Sequence, residues 1–248
     1  MSREIIKVPF FMGEQMHGFE VPEPFVELKP ELPSGSPQDR MAHLYRELGN
    51  QVAGRDAPVV YAGDCVVTIG VLAGLQRKGI NPTLVFFDAH GDFNTSDTTP
   101  SGFLGGMPVA MLTGRGEQTI VAGAGLEPLN DERVVHVGAR DLDPGEDKAL
   151  AESGIVCVSV DQLAHHDLPP GSLYVHVDVD VVDPEELPAV NYPAPGGPSL
   201  HDTRAALIRL AATGRVVAFS VSSWNPALPG ADRAAAGTQQ LAAPFLAG

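Results

Sequence analysis

A three-layer α/β/α sandwich around a central, mostly parallel sheet is the architecture this sequence predicts, and two observations predict it. The first is a series of short apolar runs rich in β-branched residues. They fall at Ile5 to Val8, Val59 to Ala62, Thr83 to Phe87, Val134 to Val137, Ile155 to Val160, Leu173 to Val179 and Val216 to Val221. Runs of this length read as strands buried on both faces. The second is the set of helix-compatible stretches between several of them, at Gln38 to Val52, Val66 to Lys78, Gly145 to Glu152, Leu200 to Ala212 and Ala231 to Leu246. Strands that alternate with helices build parallel sheets covered on both sides. With 248 residues, 44% of them hydrophobic, the chain can bury a sizeable core, so residues 1–248 are expected to form a single α/β domain. Two Pro-rich segments without periodicity, Glu20 to Pro37 and Pro184 to Pro198, are expected to be loops, the second of the kind that walls or covers a binding site.

Charge and composition narrow the function classes. A formal net charge of −15 opposes nucleic acid and anionic membrane surfaces, both of which need clustered Lys and Arg. No run of about 18 apolar residues occurs, and the opening MSREIIKVPF has no signal-peptide apolar core. A cytoplasmic protein is expected, with a small molecule as its partner and a homo-oligomer left open. The two cysteines, Cys65 and Cys157, argue against a disulfide framework. Cys157, inside an apolar run, reads as a small core residue.

Chemistry concentrates after two of the strands. Thr83 to Phe87 runs into Asp88-Ala89-His90-Gly91-Asp92, where three metal-competent side chains alternate and share a face if strand geometry continues. Tyr174-Val175-His176-Val177-Asp178-Val179-Asp180 repeats the pattern. Ligands of open α/β sheets bind beyond the carboxyl ends of the strands, where both motifs fall. Burying Asp178 and Asp180 beside Asp88, His90 and Asp92 is costly unless cations compensate them. Either cluster alone could equally be carboxylates that cap helices or face solvent, but two in one chain favour metal. Oxygen donors with one imidazole suit Mn2+, and Mg2+, Fe2+ or Zn2+ are chemically compatible. The number of carboxylates favours two ions bridged by Asp88 and Asp178. Two ions about 3.5 Å apart hold a bridging hydroxide at neutral pH, ready to attack a planar carbon. The expected chemistry is hydrolysis.

These residues bring a family into view. Gly63-Asp64-Cys65, Asp88 to Asp92, Ser101-Gly102, Gly138 to Glu146, Asp178 to Pro184 and Asn225-Pro226 occur in the order found in the arginase, or ureohydrolase, superfamily, which the chain resembles over most of its length. Members hydrolyse guanidino or amidino carbon–nitrogen bonds with two Mn2+. The resemblance implies that Asp88, Asp92 and Asp178 serve one ion and Asp88, His90, Asp178 and Asp180 the other. It also implies that Asn94 and Ser101 hold a substrate α-carboxylate while Asp143 and Glu146 hold its α-amine. Ordinary turn chemistry is the competing account of Asn94 and Ser101.

Three positions depart from the family pattern. Cys65 stands where the first ion should receive a histidine; as a thiolate it would favour Fe2+ or Zn2+, and as a protonated thiol it would leave that ion weakly held. Gly105 replaces a proton-shuttling histidine. Ser223 replaces the carboxylate that pairs with guanidinium, which removes a charge-assisted bidentate contact. The motifs around Cys65, His90 to Thr95 and Gly105-Gly106-Met107 are similar to the branch containing Nω-hydroxy-L-arginine amidinohydrolases, whose less basic substrate needs less carboxylate pairing. The expected function is hydrolysis of a guanidino or amidino bond in an arginine-like α-amino acid. Asp180 would accept the proton, and His176 would either replace the lost shuttle or pack as a satisfied histidine beneath the site. The rivals are hydrolysis of a formimino or neutral amide group on the same fold, and a metal-binding relative with impaired catalysis.

Overall fold

The computed structural model describes residues 3–246. In chain order, β1 (Ile5–Val8), β2 (Phe10–Phe11), β3 (Glu14–Gln15) and β4 (Phe25–Glu27) precede α1 (Pro37–Ala53), β5 (Val59–Ala62), α2 (Val67–Arg77) and β6 (Thr83–Phe87). Then come α3 (Pro108–Leu112), α4 (Thr119–Ala124), β7 (Val134–Val137), α5 (Glu146–Glu152), β8 (Val156–Val158) and α6 (Val160–Leu163). The chain closes with β9 (Leu173–Asp178), α7 (Leu200–Ala212), β10 (Val216–Ser222) and α8 (Ala231–Ala242).

Eight strands form one sheet in the order β4-β1-β5-β10-β9-β6-β7-β8, and every pairing in it is parallel. Parallel strands need cover on both faces, and two separate apolar clusters supply it. Ile6, Val60, Leu84 and Phe86 point into one, with α1, α2 and α4. Ile5, Val59, Val85, Val175 and Phe219 point into the other, with α7 and α8. Because strand side chains alternate, one continuous apolar run feeds both clusters, which is why the buried strands read as unbroken hydrophobic stretches.

Helix starts follow local chemistry. Ser36 caps α1 and forms a reciprocal capping box with Asp39, Ser159 does the same with Gln162 at α6, and Ser199 caps α7 through the Asp202 amide. The predicted three-layer fold is the one observed, with local differences that include unpredicted short elements at β2, β3, α3 and α4. Phe25–Glu27, inside a segment expected to be loop, adds a short edge strand beside β1; three half-exposed residues among prolines give no readable alternation. The run Ile155 to Val160 yields only three strand residues because Ser159 starts α6. Cys157 is therefore exposed on an edge strand, and its assignment to the core is corrected. The strand starting at Leu173 stops at Asp178, where Val179–Val181 turn into 3-10 geometry. Finally α8 gives way to a 3-10 turn, Ala243–Phe245, at Pro244, which cannot continue an α-helix.

The α1–α2 contact shows how closely this scaffold is packed. A Cβ on Gly74 would lie 2.6 Å from Val52 Cβ and 2.7 Å from the Gly49 carbonyl oxygen. Gly74→Ala should therefore destabilise the protein by about 1–3 kcal/mol, the usual cost of overpacking, although alanine favours helix. Urea denaturation would measure it, and an unchanged or raised midpoint would contradict the close approach.

Candidate metal centre and substrate cavity

Four adjacent central strands, β5, β10, β9 and β6, deliver the candidate residues at their carboxyl ends. Cys65 follows β5, Asp88 to Asp92 follow β6, Asp178 ends β9 with Asp180 in the turn beyond it, and Ser223 follows β10. The register keeps these ends level: Phe87 pairs with Val177 and Asp178 with Ser222. Two groups of ligand atoms result, Cys65 with Asp88 and Asp178, and Asp88 with His90 and Asp180, the atoms of each lying within 4.8 Å of one another. Asp88 belongs to both.

The backbone beyond β6 does not continue as a strand. Asp92 has a left-handed φ of 50°, so strand alternation is not what brings it to Asp88 and His90. It is nevertheless buried beside Cys65, and its Oδ2 has no hydrogen-bond partner. An orphaned, buried carboxylate oxygen next to two ligand groups is what a cation would satisfy.

Electrostatics point the same way. Burial, reinforced by neighbouring carboxylates, raises Asp88 and Asp180 to about 6 and holds Asp92 and Asp178 well above the usual carboxylate range. Burial and then Asp92, Asp178 and Asp88 push the Cys65 thiol well up. His90 is pulled down by burial, but Asp180 Oδ2 at 3.1 Å and Asp88 Oδ1 at 3.4 Å from its Nδ1 outweigh this and push it up to about 12. Without cations the cluster must retain protons. The donor set fits divalent ions: Asp88, His90 and Asp180 would hold one, and Cys65, Asp88 and Asp178, with Asp92 beside them, the other.

The cluster is anchored from behind. Asp178 Oδ1 accepts from the Asp180 amide at 3.1 Å, Asp180 Oδ1 from the Ala89 amide at 3.2 Å, and the Ser223 hydroxyl donates to Asp178 Oδ2. Ser223 Oγ lies 3.0 Å from Ser222 Oγ, which is 3.5 Å from His176 Nε2; His176 Nδ1 is 2.7 Å from Ser220 Oγ, itself 2.5 Å from the Tyr174 hydroxyl. His176 is thus fully buried, lowered to about 3 by desolvation, and stacked on Phe86. It does not line the cavity. Of the roles expected for it, the structure matches the satisfied histidine beneath the site and not a shuttle on the cavity: it is the middle of a buried ladder that ends on Asp178. Arg140 performs a related task. Its guanidinium donates to the carbonyls of Asp180 and Val181, each at 3.0 Å, and to Ala194 at 2.7 Å, tying the Asp180 turn to the Pro-rich loop.

The ligand groups lie on a cavity of about 470 Å³, within the ordinary range for small-molecule sites. On it the structure brings together three of the four residues expected at the α-amino end. Asn94 Nδ2 is 2.8 Å from Asp143 Oδ2 and 3.3 Å from Glu146 Oε1. Glu146 is buried and accepts from the amides of Phe93 and Asp143 at 2.8 and 3.1 Å; Asp143 is half-buried and has more carboxylate surface to offer a ligand. Ser101 lines the cavity from an exposed position, engaged with Thr99. Sequence reasoning missed Asp141, whose Oδ2 is 3.8 Å from His90 Nε2. It also missed the aromatic rings of Phe11, Phe103 and Tyr192. The Pro-rich loop read as a possible wall was the one hint, and it supplies Tyr192.

Comparison with known proteins gives consistent results. A family model described as "Arginase family" matches residues 25–247. The arginase of Bacillus subtilis (strain 168) is 32% identical over 198 residues, covering 75% of this chain and 67% of that protein. The arginase of Brevibacillus brevis is 31% identical over 209 residues, covering 77% and 70%, and that of Bacillus caldovelox 32% over 185 residues, covering 69% and 62%. The matches thus span about two thirds of these relatives' length. Among solved structures, arginase from Bacillus cereus superposes with a TM-score of 0.81 at 26% identity, covering 98% of this chain and 97% of that one. Formimidoylglutamase from Bacillus subtilis shares the fold, with a TM-score of 0.76 at 13% identity over 98% of this chain and 85% of that one.

Two outcomes follow from this geometry. A ligating imidazole must be neutral, whereas His90 keeps its proton to about 12 in the metal-free protein. Binding an ion at Asp88, His90 and Asp180 at pH 8 should therefore release at least about one proton, and affinity should strengthen as pH rises because protons compete. Calorimetric titration in two buffers of different ionisation enthalpy measures this, and buffer-independent heats would contradict it. Arg140→Met should cost about 1–3 kcal/mol by stranding carbonyls and weaken metal binding. Denaturation of the metal-free protein tests the first effect and metal titration the second; if neither moves, the guanidinium does not hold the Asp180 turn.

Proposed function

Because the chain belongs to the arginase family, we propose that it is a divalent-metal-dependent hydrolase that breaks a guanidino or amidino carbon–nitrogen bond in an arginine-like α-amino acid. The observation that carries this reading is the convergence of Asp88, His90, Asp178 and Asp180 into two ligand groups on a cavity that also holds Asn94, Asp143 and Glu146. One end of the cavity has the donors for metal, and another has carboxylates for an α-amine.

When bound, the ions supply an activated water and polarise the amidine; Mn2+ suits the oxygen and imidazole donors, and Fe2+ or Zn2+ the group that includes Cys65. The rest falls to side chains. Asp143 and Asn94 orient the α-amino acid end, with Glu146 bracing both, and Ser101 meets it at the rim. Asp180 Oδ2, facing His90, accepts the proton given up by water. Asp141, exposed on the cavity beside His90 Nε2, offers a further carboxylate in contact with solvent, where Gly105 offers no titratable group. Ser223 offers a hydroxyl committed to Asp178 in place of a free carboxylate, so a weakly basic guanidine such as Nω-hydroxy-L-arginine is a candidate substrate. The same neutral hydroxyl favours a second reading, a formimino group, which is also the substrate type named for formimidoylglutamase.

The Mn2+-loaded protein should release urea, hydroxyurea or formamide from L-arginine, Nω-hydroxy-L-arginine or a formimino amino acid respectively, and product identity separates the readings. Asp180→Asn should lower kcat/KM by about 100-fold or more, the usual scale for losing a proton-transfer group together with a metal ligand. Absence of product from every amidine under full metal loading would overturn the proposal.

A further inference from the structure

The feature that this function leaves unused is an aromatic wall. Phe11 comes from β2, Phe103 from the loop after β6 and Tyr192 from the loop after β9, three segments far apart in sequence. The Phe103 ring centroid is 6.2 Å from that of Phe11 and 5.1 Å from that of Tyr192, whose ring is in turn 6.4 Å from the His90 ring. Tyr192 is 50% exposed, one of few large apolar side chains so open among the described residues. A hydrophobic surface left uncovered at a cavity is usually covered by a ligand.

The wall flanks the reacting end of the cavity. Tyr192 faces His90, and Phe103 covers Gly105, whose carbonyl accepts from the Cys65 thiol at 3.4 Å. Each metal-ligand group thus has an aromatic neighbour, while Asn94, Asp143 and Glu146 are bonded to one another elsewhere on the cavity. Phe103 also depends on Gly105: a Cβ there would lie 2.3 Å from Phe103 Cε1 and 2.5 Å from Cζ. The ring fills the space that any side chain at position 105 would need.

We propose that Phe11, Phe103 and Tyr192 are specificity-determining residues that select an amidine or guanidine carrying an apolar substituent on its reacting end, an N-alkyl group rather than hydrogen. The inference rests on the amidine-hydrolase reading and refines it. An alkyl substituent gains buried apolar contact on the rings, and their faces attract the delocalised cation. They thereby replace part of the pairing that a carboxylate at position 223 would have provided. Unsubstituted guanidinium gains only the second effect.

Calorimetric competition on the Mn2+-loaded full chain, with L-arginine and Nω-propyl-L-arginine as probes, tests this. The propyl compound should bind at least about tenfold more tightly. Tyr192→Ala, at a half-exposed position where truncation leaves the core intact, should bring the ratio to within about threefold, and Gly105→Ala should do the same by displacing Phe103. Equal binding, preference for L-arginine, or a preference that survives both substitutions overturns the inference. If urea is released from L-arginine without any such preference, this inference falls and the amidine-hydrolase reading stands. If no amidine binds or reacts, both fall.

Discussion

Four carboxylates, Asp88, Asp92, Asp178 and Asp180, are buried together at the ends of two neighbouring strands, and within the cluster only His90 can answer them with positive charge. Arg140 lies behind Asp180, but its donors are spent on backbone carbonyls. Carboxylates out of water and close to one another either keep protons or acquire cations. The same crowding that raises their proton affinity in the metal-free protein makes them a high-field oxygen site for a divalent ion. Much of the surrounding structure serves to keep the carboxylates from turning away towards solvent.

The restraints come from three directions. From the sheet, β9 and β10 lie in register so that Ser220 meets His176 and Ser222 meets Asp178, and the hydroxyl–imidazole ladder passes along that seam to Ser223. From the turn beyond β9, the Asp180 amide caps Asp178 while Arg140 holds the Asp180 and Val181 carbonyls. From α5, Glu146 fastens the Phe93 amide and thereby the segment that carries Asp92. Metal affinity and fold stability therefore share parts. A change at His176 or Arg140, neither of which lines the cavity, acts on the cluster through groups that do.

The sheet was readable in the sequence because burial on both faces leaves unbroken apolar runs, and the candidate ligands were readable because carboxylates directly after such runs are expensive. What could not be read has a common cause. The strand at Phe25–Glu27 and the exposure of Cys157 depend on which strands are edges, a property of topology rather than of local pattern. Asp92 reaches the cluster through a left-handed residue that alternation cannot anticipate. His176 has the parity of Asp178, but parity names a face of the sheet and says nothing of depth along it, and depth separates a buried histidine from one that lines the cavity. Phe11, Phe103 and Tyr192 meet only in three dimensions, and each alone is an ordinary loop or strand aromatic.

The departures at positions 105 and 223 look, in sequence, like independent losses from a catalytic pattern. In the fold each is matched by a neighbour. The Ser223 hydroxyl turns onto Asp178 and becomes the last step of the ladder beginning at Tyr174. The space opened by Gly105 is taken by the Phe103 ring, which joins Phe11 and Tyr192. A site decaying under no constraint would leave cavities and unpaired groups where residues had been lost. Among the described residues that line this cavity, the unpartnered buried side-chain atom is Asp92 Oδ2, and it is orphaned towards the metal groups. The metal-competent side chains Asp88, His90, Asp92, Asp178 and Asp180 stand together while Cys65, Gly105 and Ser223 depart from the pattern, and the proposed substrate preference rests on that division between the metal groups and the aromatic wall of Phe11, Phe103 and Tyr192.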